Sequence, residues 1–554
     1  MGPPMKRIDS LIDFISGRNF RKGWHVFIIA FFLIFVILPT VYVLTYAYTE
    51  WDAIESGVLG NKETMDIIMS AIAASFEIAA IVTVIDFAVG LPMAWMLVRK
   101  KFRGKNFVDT LIDMPLAVPT AALGFSSAIF WATTPGAMDA PPFAFGAITS
   151  PMLLIILLHI VFSYPYMVRS LSAILEQIDE TYEIAGQTLG ASKLTAVRTI
   201  TLPLFRAGLI TGIILCFSRS LSETGGTMIA LATMANSAGF NTGPTLIGTW
   251  KRLSETNPDL VPQLAFVSIL LIVVALVLLI VLKLVVMKVR LPMGKVWPTP
   301  EKILSRGLVP KLKDGSAVFF LALFILIPSF FIFSYVLTSS ASLGDWGPFM
   351  SSLGYSFAIA AIVTAIDLGL GIPLAMYISR SGSKRISHSL DVLVNVPLIV
   401  PTAALGFSLG QFWTDQSLVP SVPTLLIIMA HVAFTYPLVV RNVAGAVEEI
   451  DPSYEETART LGAKPIQGFR RVLYPMIKSS ILAGAIMAFT RSLGETGATQ
   501  AVVADVVTAP VYIVDLVSSN QFYLAGLACI ILIVVSYAAM LFLRYMTRKK
   551  RRVV

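Results

Sequence analysis

The chain is written twice. PTAALGFS stands at Pro119 to Ser126 and again, letter for letter, at Pro401 to Ser408. IAAIVTVID, ending at Asp86, returns as IAAIVTAID, ending at Asp367; HIVFSYPYMVR, at His159 to Arg169, returns as HVAFTYPLVVR, at His431 to Arg441. SRSLSETGGT from Ser218 matches TRSLGETGAT from Thr490. Because the matches keep their order and near-constant spacing, the fold must use one structural unit two times, head to tail. The halves are read as 1–289 and 316–554, joined by a linker at 290–315.

Of the 554 residues, 56% are hydrophobic and only 14% charged, which excludes an ordinary soluble globule. Apolar runs of about 20 residues, the length a helix needs to cross hydrocarbon, begin near Trp24, Ile68, Leu111, Pro151, Gly208 and Gln263. The second half repeats them near Ser316, Ser356, Leu390, Val422, Ser480 and Phe522. The expected fold is therefore an all-α polytopic membrane protein, with about twelve transmembrane helices in two parallel six-helix repeats. An even number of spans gives both halves one orientation, and parallel repeats of this kind build transporters with a path between the halves.

Orientation follows from the basic residues. Lys and Arg gather at the N-terminus, at Arg99 to Lys105, around Arg169 to Arg206, at Lys288 to Lys313, at Arg380 to Arg385, around Arg441 to Lys478 and at Arg544 to Arg552. The alternate loops hold almost none, Lys251 and Arg252 excepted. Both termini are expected in the cytoplasm, and the apolar run from Val26 to Tyr48 is too long for a cleaved signal. The net charge of +9 is a topology signal that calls for no nucleic-acid partner. Cys216 and Cys529 lie inside apolar spans and form neither a disulfide framework nor a metal-ligand spacing.

A polar segment is also duplicated, at 179–203 and 451–475, between the fourth and fifth spans of each half. Each copy has helical letters broken at LGA, Gly190–Ala191 in one and Gly462–Ala463 in the other, where glycine can turn the chain through the left-handed region. Ala185 and Gly186, or Thr457 and Ala458, are small enough to let a partner approach, and Pro203 or Pro475 turns the chain into the next span. One such loop reads equally as a solvated amphipathic hairpin; two copies on the cytoplasmic face favour a symmetric docking surface.

These loops resemble the EAA motif of the permease subunits of binding-protein-dependent ATP-binding-cassette importers. The second copy fits at Glu456, Thr457, Ala458, Gly462, Val472 and Pro475; the first fits at Ala185, Gly190, Ile200, Leu202 and Pro203. Ile184 takes the Glu place in the first copy, with Glu183 one position early, so Glu183 is the candidate to supply the acidic contact there. The resemblance implies that each loop inserts a coupling helix into one of two cytoplasmic ATPase subunits, and that cargo arrives on an extracytoplasmic binding protein. The chain has no GxxxxGK[ST] loop, so ATP and magnesium would belong to the ATPase partner and no catalytic residue or cofactor is expected here. The implied location is a prokaryotic cell membrane.

Charges at membrane depth are costly and mark structure or pathway. Arg219 and Glu223, repeated as Arg491 and Glu495, lie four apart on one helix face, beside Thr224 and Thr496. They read either as ion pairs or as a gate on the path. Asp86 and Asp367 read as proton relays or as carboxyls hydrogen-bonded between helices, and PTAALGFS, with Pro115 and Pro397 upstream, as a broken helix with Ser126 and Ser408 on the path, or as kinked packing. RSLGETGA is similar to the segment of molybdate, tungstate and sulfate permeases, which implies a small oxyanion cargo; ferric-iron and thiamine permeases carry related segments. A proton- or ion-coupled secondary carrier is the competing class.

Overall fold

Prolines and buried hydroxyls, more than hydrophobic length, decide where these helices begin and end. The computed structural model describes residues 17–132, 143–234, 236–288, 297–305, 307–339, 345–416, 422–503 and 506–548. Apart from an isolated bridge between Ala132 and Ile148, the regular structure among them is helical.

The first repeat opens with α1 (Asn19–Val41) and α2 (Lys62–Arg99). It continues through α3 (Lys105–Ala117), α4 (Thr120–Trp131), α5 (Pro151–Gln177) and the short α6 (Thr181–Thr188). Then come α7 (Arg206–Leu221), α8 (Gly225–Ala232), α9 (Gly243–Ser254) and α10 (Val261–Lys288). A linker helix, α11 (Pro298–Leu304), leads to α12 (Val309–Thr338) and α13 (Gly347–Arg380). The second repeat goes on with α14 (Lys384–Val394), α15 (Thr402–Gln416), α16 (Pro423–Glu448) and α17 (Ser453–Thr460). It ends in α18 (Pro465–Leu493), α19 (Gly497–Val502), α20 (Ala509–Ser518) and α21 (Phe522–Arg548).

Among the described residues nine helices are long and apolar enough to cross a membrane, or eleven if two bent pairs count as spans. The expectation was about twelve. They part at the third run of each half, which is bent, and at the run near Gly208, where α7 is a shorter apolar helix. The two pieces of the third run, before and after Pro119 or Pro401, meet at 102° and 108°. The 12 residues of α4 reach about 18 Å, short of a hydrocarbon core of about 30 Å. Pro119 and Pro401 donate no N–H and push the residue before them, Val118 or Val400, into extended backbone, which ends the first piece.

Two compact units result, and neither coincides with a sequence repeat. One gathers the described residues of Met1–Asp52, Gly347–Ala509 and Val534–Val554; the other gathers Ala53–Trp346 and Pro510–Ile533. The first span of each repeat is thus built into the unit that carries most of the other repeat.

The attachment is the same in both units. A π-helical turn, Phe32–Ile37 or Leu321–Leu326, precedes Pro39 or Pro328, whose ring disturbs the helical ladder. In one unit the Ser408 hydroxyl enters that gap, accepting the Val43 N–H at 2.9 Å and donating to the Pro39 carbonyl at 2.7 Å. In the other, the Ser126 hydroxyl accepts the Ile332 N–H at 2.9 Å and donates to the Pro328 carbonyl at 2.7 Å. One side chain therefore replaces one i to i+4 backbone bond, a recognised cause of helix bending. Gly124 and Gly406, two residues before these serines, let α4 and α15 reach a neighbouring backbone: a Cβ there would stand 2.3 Å from the Gly226 oxygen or 2.6 Å from the Ala498 oxygen.

Candidate functional site

Each polar loop is a small, self-braced hairpin. Asp179 accepts the Thr181 N–H at 2.8 Å and its hydroxyl at 2.6 Å, which orders the start of α6. Asp451 accepts the Ser453 N–H at 2.8 Å ahead of α17. The Thr181 hydroxyl and N–H hold the Asp179 carboxyl below its ordinary value, and the Ser453 N–H does so for Asp451. Gly190 and Gly462 end the helices at φ +95° and +84°, as the LGA spacing predicts. The Ala191 N–H then reaches back to the Gly186 carbonyl at 3.1 Å, and Ala463 to Ala458 at 2.9 Å, the six-to-one bond of a left-handed helix stop. A Cβ on Gly186 would stand 2.6 Å from Ile200 of the same hairpin, so its small size serves closure of the loop. Pro203 and Pro475 each follow a π-helical turn, Val197–Thr201 ahead of α7 or Phe469–Leu473 within α18.

The structure corrects the role expected of Glu183. Its carboxylate turns inward, 3.1 Å from Arg99 and 2.8 Å from the Thr201 hydroxyl, and the residue is 6% exposed. Arg99 also donates to the Ile178 carbonyl at 2.7 Å, locking the hairpin to the end of α2. Arg380 repeats this with Glu455 at 2.8 Å and the Ile450 carbonyl at 2.6 Å. Glu183 is therefore the counterpart of Glu455, and the outward position next to each is Ile184 or Glu456. Sequence reading missed these braces, although Arg99 and Arg380 recur at the repeat offset and signalled them. Also missed were the apolar side chains both hairpins hold in water: Tyr182 and Leu189 in one, Tyr454 and Leu461 in the other.

Each repeat breaks a helix around a charge pair. Arg219 meets Glu223 at 2.7 Å, and Arg491 meets Glu495 at 2.5 Å. The glutamates do a second thing: Glu223 accepts the Gly226 N–H at 3.0 Å and Glu495 the Ala498 N–H at 2.9 Å, so each caps the helix that restarts after the break. Each guanidinium lies over an aromatic ring, Phe162 at 5.4 Å and Phe434 at 5.2 Å. His159 spans the break, 2.9 Å from Ser220 before it and 2.9 Å from Thr227 after it; His431 does the same with Ser492 and Thr499. Thr224 and Thr496 are buried at the break itself. The arginine side chains keep 12% and 21% exposure, against 3% for each glutamate.

Asp86 and Asp367 lie fully buried between helices. Ser163 and Cys216 donate to Asp86, and Thr435 donates to Asp367 at 2.6 Å. Cys216 is thus a hydrogen-bond donor as well as a packing residue. Ser126 and Ser408 are buried, with their hydroxyls engaged by the carbonyls of Pro328 and Pro39 in the first spans. The arginine closing the duplicated YPYMVR and YPLVVR segments fixes the first piece of each bent run: Arg169 holds Asp109 and Asp113 of α3 at 2.6 and 2.7 Å, and Arg441 holds Asp391 of α14 and Asn395 just past it at 2.6 and 2.8 Å. Arg252, the exception in charge placement, pairs with Asp515 at 3.0 Å.

Comparison with known proteins accords with this architecture. The family described as binding-protein-dependent transport system inner membrane component matches twice, at residues 86–291 and 368–552. The sulfate transport system permease protein CysT of Salmonella typhimurium is 33% identical over 210 residues, 35% of this chain and 76% of that protein. The molybdate/tungstate transport system permease protein WtpB of Methanocaldococcus jannaschii is 30% identical over 212 residues, 38% of this chain and 79% of its own. The molybdenum transport system permease protein ModB of Mycobacterium tuberculosis is 31% identical over 159 residues, 27% and 60% of the two chains. Two matches to one family, in the order of the internal repeat, assign the whole architecture: the chain belongs to the binding-protein-dependent transport system inner membrane components and carries the family unit twice.

Proposed function

We propose that this chain forms the complete translocation path of an ATP-driven importer for a small inorganic oxyanion, with ATP hydrolysed on two separate ATPase subunits. The observation that carries the reading is the pair of braced hairpins, each holding a tyrosine and a leucine out in water at equivalent positions. Exposed apolar side chains on a rigid support mark a docking surface. Tyr182, Ile184 and Leu189 would enter one ATPase subunit; Tyr454, Glu456 and Leu461 would enter the other, with Ala185, Thr457 and Ala458 beside them. Bracing matters because Arg99 and Arg380 fasten the hairpins to α2 and α13, so force applied at a tip reaches a membrane-spanning helix without being absorbed by the loop.

The termini and both hairpins are assigned to the cytoplasm of a prokaryotic cell, and an extracytoplasmic binding protein delivers the cargo. Arg219 and Arg491 supply positive charge at membrane depth, softened by their glutamates so that an anion can leave as well as enter. The relatives named for sulfate and for molybdate or tungstate support an oxyanion, and another small solute in the same importer class is the alternative. The test is uptake of labelled sulfate and molybdate into proteoliposomes holding the chain with its co-purified ATPase and binding protein. ATP-dependent uptake of an oxyanion is expected. Uptake by the chain alone, driven by an ion gradient, would replace this reading with a secondary carrier.

A further inference from the structure

The segment between the repeats has no place in a permease made of one family unit, yet it is fastened to the first hairpin and not left as a tether. Glu301 of α11 accepts the Thr195 hydroxyl and pairs with Arg198 at 2.7 Å. Trp297, at the start of α11, lies 5.9 Å from the Arg198 guanidinium, and its N–H donates to Glu301 at 3.3 Å. At the other end Ser305 accepts the Leu194 N–H at 3.0 Å and lies 3.4 Å from the Ser192 hydroxyl. Ser192 is the residue that restarts the chain just past the Gly190 turn, so the C-terminal end of α11 sits at the hairpin tip and away from its root. The Thr195 hydroxyl holds the Glu301 carboxyl below its ordinary value.

While Glu301 is buried in this clamp, Ile303 and Leu304 are 64% and 48% exposed, and Leu189 at the same tip is 90% exposed. We propose that α11 is part of the first ATPase docking surface, so that the fused chain offers its two ATPase subunits chemically different seats. The inference rests on the coupling role proposed above for the hairpins. The occupant is the ATPase subunit that receives α6, because the apolar side chains of α11 continue the apolar surface of that tip. The first seat lacks the acid that Glu456 provides in the second, with Ile184 in its place, and the linker adds two further apolar side chains. The asymmetry is therefore of one kind: an apolar, linker-extended first seat and an acidic second seat.

Site-specific photocross-linking in membranes carrying the assembled transporter tests this. Benzoylphenylalanine is placed singly at Leu189, Leu461 and Ile303, and a captured chain counts only if its peptides carry a GxxxxGK[ST] sequence. Capture from all three positions is expected, and Glu301→Gln should lower capture from position 303 at least fivefold while leaving capture from 461 unchanged, which also shows that the variant folds. Capture from 189 and 461 but not from 303, or lipid adducts alone at 303, would overturn the inference and leave the coupling role intact. Silence at all three positions would overturn that role and the inference with it.

Discussion

Replacing Ser408 by Ala removes one hydroxyl and strands one backbone group, the Val43 N–H, while the Pro39 carbonyl keeps the Tyr42 N–H at 3.3 Å. The Val43 N–H and the Pro39 carbonyl both bond to that oxygen, at 2.9 and 2.7 Å, in a site where Ser408 is fully buried. A buried polar group left without a partner costs about 1–3 kcal/mol, so the Val43 N–H sets a ceiling of about 3 kcal/mol. The helix can recover part of this by closing Val43 N–H onto Pro39 directly, one net hydrogen bond of about 1 kcal/mol, though it must then straighten against α15. The expected loss is about 1–2 kcal/mol, which through local opening accelerates exchange of the Val43 amide by roughly 5- to 30-fold. Hydrogen exchange with peptide resolution, on protein in lipid nanodiscs, reads this directly. Ser126→Ala should act in the same way on Ile332. Exchange at Val43 unchanged by Ser408→Ala would refute the idea that the hydroxyl stands in for a helical hydrogen bond.

Gly406→Ala would put a Cβ 2.6 Å from the Ala498 oxygen, backbone that cannot rotate away, and should cost at least the roughly 1–3 kcal/mol typical of overpacking; thermal unfolding in detergent measures it. Glu495→Gln removes the carboxylate charge 2.5 Å from the Arg491 guanidinium and weakens the cap on the Ala498 N–H, a loss below the roughly 3–5 kcal/mol of a fully broken buried pair, read by the same unfolding experiment. The combined Arg219→Gln, Arg491→Gln, Glu223→Gln and Glu495→Gln variant avoids orphan charge and should keep its ATPase subunits while losing oxyanion uptake; undiminished uptake would remove the arginines from the path. Asp179 and Asp451 have carboxyls held below the ordinary aspartate value, so their contribution to the hairpins is present above about pH 4 and is lost as pH falls through the lowered folded values. Exchange protection at the start of α6 should accordingly be flat from neutral pH to about 5, and fall only below about 4.

Much of this was legible in the sequence because it is carried by side-chain types at fixed spacing. The repeat, the LGA turns at Gly190 and Gly462, and the i, i+4 pairs of Arg219 and Arg491 needed no coordinates. What stayed hidden is bonded to backbone or arises from distant segments. Ser126 and Ser408 read as possible path residues because nothing in PTAALGFS reveals that the hydroxyl enters the first span of the other repeat. Glu183 and Ile184 differ by one helical position, about 100° around the axis, which decides between an inward brace and an outward contact. The prolines announced a break in the third span, but its angle depends on Arg169 and Arg441 holding the preceding helix from α5 and α16.

The claim at the centre of this account is that the two hairpin tips couple the chain to separate ATPase subunits. Leu189 and Leu461 stand 90% and 83% exposed on braced supports, and no hydrogen bond or ion pair of the fold rests on their side chains. Leu189→Arg with Leu461→Arg should therefore leave the membrane protein folded and expressed. The decisive measurement is ATP-driven cargo uptake by this double variant, taken together with recovery of the ATPase on the purified chain. The account predicts that both are lost, with each single variant losing part. Full uptake with ATPase still bound would contradict it.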